Sequence, residues 1–105
     1  MEALEFLRTN KSKFGCFASN HFNTREEAVG FVEKLYKNGA RLVEVPEDET
    51  LREDWRLAEE GGPYSATLLI TIPAGEEVPV NVVIDAEKPD EKGQLNGRLT
   101  RIWWD

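Results

Sequence analysis

The stretch YSATLLITIP, residues 64–73, places Tyr64, Ala66, Leu68, Ile70 and Ile72 on one side and Ser65, Thr67, Leu69 and Thr71 on the other. A period of two describes a strand with one face in the core, and Pro73, which has no N–H to give, ends its ladder. One strand is not a stable structure, so the rest of the chain has to supply a sheet and a layer that covers it. GGP at residues 61–63 marks the turn that precedes the strand.

The covering layer begins with NTREEAVGFVEKLYKNGA. Thr24 followed by Glu27 is a capping box, in which hydroxyl and carboxylate each satisfy a backbone N–H at a helix start. Ala28, Phe31, Val32, Leu35 and Tyr36 then recur at helical spacing, Lys34 and Lys37 suit the C-terminal dipole, and Gly39 suits a left-handed cap. Further strands are predicted in KFGCFAS, with Phe14, Cys16 and Ala18 on one side, in RLVEVP, with Val43 and Val45 on one side, and in GRLTRIWWD.

Two acidic segments lie between these. TLREDWRLAEEGG pairs Thr50 with Glu53 as a second capping box and spaces Leu51, Trp55 and Ala58 for a short helix. GEEVPVNVVIDAEKPDEKG has β-branched residues that suit a strand. Its glutamates in a first turn, Pro79 near the start, and Val82, Val83 and Ala86 on one side suit a helix. Element order decides for the helix. Strand, helix, strand, strand, helix, strand describes two split βαβ units, an α+β, ferredoxin-like fold. Its four-stranded antiparallel sheet has both main helices on one face, with a short N-terminal helix and an acidic insertion. The 105 residues fit a single domain, 1–105, with one core.

Charge limits the partners. The net −7 is concentrated in residues 44–60, which carry −6, and 76–92, which carry −4. Such a chain repels phosphate backbones, so nucleic acid is not an expected partner. Glutamates inside MEALEFLRTNK exclude a signal peptide or membrane span there, and the single cysteine, Cys16, fits a reducing compartment, so a cytoplasmic location with no membrane contact is expected.

Reaction chemistry is sparsely signalled. Cys16 and His21 lack the further ligands a metal site needs and read as a buried thiol and a loop histidine. PEDET and DAEKPDEKG do not reproduce a calcium loop and read as solvated acidic surface. Phe14 and Phe17 invite comparison with RNA-stacking aromatics, but the basic residues and the remaining motif are missing. No phosphate loop, nucleophile elbow or zinc helix motif occurs. No cofactor or metal is expected.

GGPYSATLLITIP, NGARLVEV and the ending RIWWD together resemble a family of small bacterial proteins that end in Trp-Trp-Asp and for which no activity is established. The resemblance covers Thr24 to Ile72 and the last five residues. It departs at GEEVPVNVVIDAEK, where such proteins carry a segment with arginine and alanine. It implies an architecture and no function.

The leading functional expectation is a non-enzymatic interaction protein, either a homodimer or the acidic partner of a basic protein, as immunity and antitoxin proteins are. Neighbours on a strand face opposite ways, so if Ile102 and Trp104 pack under the helices, Leu99, Arg101 and Trp103 point to the other face. With Phe17 and Leu69 they form the candidate interface. Glu47, Asp48, Glu49, Glu53 and Asp54 form a candidate acidic surface. A ligand-binding domain or enzyme with a pocket near Trp55, using Glu53, Asp54 or Glu59, is the alternative, followed by an acidic mimic of nucleic acid.

Overall fold

Helix formation is best specified over Arg25–Lys37. In the computed structural model, which describes residues 1–10, 16–46 and 64–105, the Thr24 hydroxyl accepts the Glu27 N–H at 3.1 Å. The Glu27 carboxylate reaches back to the Asn23 N–H at 3.0 Å, one residue before the usual partner. At the other end Gly39 donates to the Tyr36 carbonyl and Ala40 to the Leu35 carbonyl, the paired bonds of a Schellman cap. Gly39 adopts φ +117°, and an added Cβ would lie 2.5 Å from a Glu76 carboxylate oxygen, so a side chain there meets both strain and a neighbour.

The elements in chain order are α1 (Ala3–Thr9), α2 (Arg25–Lys37), β1 (Leu42–Glu44), β2 (Thr67–Thr71), α3 (Glu77–Ala86), β3 (Glu91–Gln94) and β4 (Leu99–Trp103). The four strands form one sheet in the order β1-β2-β4-β3, with every neighbouring pair antiparallel. The class is α+β, as the sequence predicts. One strand is assigned differently. Of that predicted strand the described residues, Cys16–Ala18, contribute a parallel bridge from Phe17 to Ser65, and the fourth strand of the sheet is Glu91–Gln94, a hairpin partner of β4. Ala18 at φ +42° turns the chain, and Cys16, Phe17 and Ala18 are all buried, so alternation does not sort this segment into an inner and an outer face.

The core lies between one sheet face and the helices. Val43, Leu68, Ile70, Ile102 and Trp104 meet Val32 and Leu35 of α2 and Val80 and Ile84 of α3. Each such fully buried aliphatic contributes roughly 1.5–3 kcal/mol relative to exposure. Residues 77–86 are helical, but the buried side differs from expectation. Val80 and Ile84, one turn apart, face the core, while Val82 is 64% exposed and Ala86 is exposed. A strip of apolar residues wider than one helix side leaves some of them outside.

The α1 helix packs on α2. Its N-cap carboxylate, Glu2, accepts the Glu5 N–H at 2.8 Å and the Tyr36 hydroxyl at 2.7 Å, and Tyr36 in turn accepts the Val43 N–H at 3.0 Å. One tyrosine thereby joins α1, α2 and β1. Burial pushes the Tyr36 hydroxyl up to about 12, helped by the bond to Glu2. Burial raises Glu2, but bonds from the Leu4 amide, the Tyr36 hydroxyl and the Glu5 amide, with the charge of Arg8, outweigh it and hold Glu2 below the usual carboxylate range.

Candidate functional site

Strand register assembles the second face of the sheet, opposite the core. Leu42 pairs with Thr71, and Thr71 with Leu99; Glu44 pairs with Leu69, and Leu69 with Arg101; Thr67 and Glu91 both pair with Trp103. These positions share parity with one another, so their side chains share the face. Leu69, Leu99 and Trp103 are half-buried there, Leu42 is 36% exposed, and all four lie outside the hydrophobic core cluster. Arg101 is aligned with Glu91 at 3.4 Å. Thr67, beside Trp103, is fully buried. Leu69, Leu99, Arg101 and Trp103 therefore share one face of the sheet.

Phe17 does not join them. It is 3% exposed and lies edge-on to Trp104, with ring centroids 5.8 Å apart, so it belongs to the core and not to the second face. Glu47, Asp48, Glu49, Glu53, Asp54, Trp55 and Glu59, with the helix predicted around them, lie outside the described residues.

Trp103 differs from its neighbours in its bonding. Among the described residues its indole N–H has no hydrogen-bond partner and its ring has no aromatic contact. A tryptophan is partly apolar and partly polar, and its N–H usually finds an acceptor once buried. The α1 helix packs on α2, in the layer on the opposite side of the sheet.

A second feature, which sequence reasoning missed, lies on the helix side. The outer faces of α2 and α3 enclose a groove of about 560 Å³ lined by Phe31, Val82, Val83 and Ala86, with Glu27, Lys34, His21 and Glu87 at its edges. At one end His21 Nε2 lies 3.1 Å from Glu87 Oε1, and its ring stacks on Trp104 at 5.3 Å. The Trp104 indole N–H donates to the Glu87 carbonyl at 3.0 Å, which satisfies an acceptor at the end of α3. Val82, beyond the residues α3 needs for its core face, was the available signal.

Among the described residues no group of three or more His, Cys, Asp or Glu is arranged to hold a metal ion, and no helix is long and apolar enough to cross a membrane. Cys16 is buried in the core. No protein-family model, curated protein or solved structure matches this chain.

Proposed function

We propose that the protein is a binding module that associates through the second face of its sheet, with a second copy of the chain as occupant. The observation that carries this reading is Trp103, half-buried beside Leu69 and Leu99 with its indole N–H unpaired among the described residues. Interface centres are enriched in tryptophan and arginine and depleted in other charges, and this face brings Trp103 close to Arg101. Glu44 and Arg101 flank Leu69 on the same face, so a two-fold arrangement sets acid against base around an apolar centre.

Light scattering on wild type and Trp103→Glu tests the reading. A dimer for the wild type and a folded monomer for the variant support it. Two monomers at concentrations well above the micromolar range overturn self-association.

A further inference from the structure

We infer that the groove between α2 and α3 is a binding site for a small amphipathic carboxylate, whose apolar body lies between the helices and whose anion sits on Lys34. This site is on the helix side of the molecule and is independent of the sheet face. Its volume, about 560 Å³, is in the range of small-molecule pockets, and such pockets combine apolar walls with a few polar groups.

Gly30 keeps the groove open. It lies in the interior of α2, where glycine is a poorer helix former than any residue but proline, yet nothing comes within 4 Å of where its Cβ would be. Close packing therefore does not account for a glycine here. A side chain at this position would lean toward Glu27, one turn back, and narrow the space between the helices. Across the groove Val82 is 64% exposed, and with Val83 and Ala86 it gives the ligand an apolar wall on α3.

The charges at the rim select the ligand. Glu27 is engaged by the Asn23 N–H, and Glu87 by His21. The Lys34 ammonium forms no ion pair or hydrogen bond among the described residues. An incoming carboxylate gains a partner at Lys34, whereas an incoming amine competes with contacts already made. Both rim carboxylates repel an anion, but they are spent on donors, and among the described residues the unmatched group is the cation.

Octanoate, octylamine and octanol titrated separately into the 15N-labelled protein test this by amide shifts. Octanoate should saturate shifts at Gly30, Lys34 and Val82. Lys34→Gln should weaken octanoate by roughly two- to fivefold and leave octanol unchanged. Gly30→Leu should abolish both. Gly30→Ala should raise the melting temperature by about 4 °C, which shows that α2 tolerates side chains there. Octylamine binding as tightly as octanoate, an unaltered octanoate affinity in Lys34→Gln, or no shifts in the groove overturns the proposal. The titration should be the same in Trp103→Glu, so the two sites fail separately.

Discussion

Trp104 is 2% exposed, meets the rings of Phe17, His21, Phe22 and Phe31, and spends its indole N–H on the Glu87 carbonyl, whereas Trp103 is half-buried with no ring neighbour and no acceptor among the described residues. The two are chemically identical and adjacent, so the difference arises from strand geometry, which turns successive side chains to opposite faces. One face was closed by helices in folding. The other carries a large amphipathic side chain whose indole N–H has no acceptor among the described residues.

Truncation should separate the two most sharply. Trp104→Ala removes a buried ring from a packed aromatic cluster and orphans a helix-end carbonyl, and should cost about 3–5 kcal/mol in urea unfolding. Trp103→Ala should cost less than about 1 kcal/mol when measured on the monomer. Equal losses would mean that both faces are core, and the comparison would fail. Exchange of the indole protons with solvent gives a finer reading without mutation. The Trp104 proton should exchange slowly under all conditions, and the Trp103 proton should be fast in dilute protein and slow once chains associate.

The smallest effect is a control that both tryptophans should leave alone. The Tyr36 hydroxyl, raised from 10.0 to about 12, stays neutral in the folded chain after the unfolded chain has begun to ionise. Its contribution is therefore complete below pH 10 and lost as pH rises toward 12. Glu2 works at the other end: its lowered value gives stability that is present above the usual carboxylate range and lost as pH falls through that lowered value. Tyr36→Phe should remove the alkaline loss in wild type and Trp103→Ala alike, as followed by circular dichroism.

Local chemistry explains which parts were legible in advance. The ends of α2 follow from Thr24, Glu27 and Gly39, because caps are sequence-local. The opposite facing of Trp103 and Trp104 follows from the period of a strand. The Phe17 expectation failed because alternation holds only within a ladder, and among the described residues this segment makes a single bridge before turning at Ala18. Strand β3 was missed because EKGQ is exposed throughout and offers no apolar period; its signal was the Asn96-Gly97 pair, where Asn96 Oδ1 accepts the Arg98 and Leu99 N–H groups and turns the hairpin. The groove was legible only in the surplus apolar residue Val82, since its shape arises from the separation of two helices and from the space over Gly30.

The contact between His21 and Glu87 spans 66 residues, and Trp104 reaches further still to Phe17, so the aromatic cluster joins distant parts of the chain. Closing so long a loop costs chain entropy before any contact repays it, whereas α2 can form locally. Assembly of the cluster is then a late event along the folding coordinate. Weakening it should accelerate unfolding far more than it slows folding, which stopped-flow rates for Trp104→Ala would check.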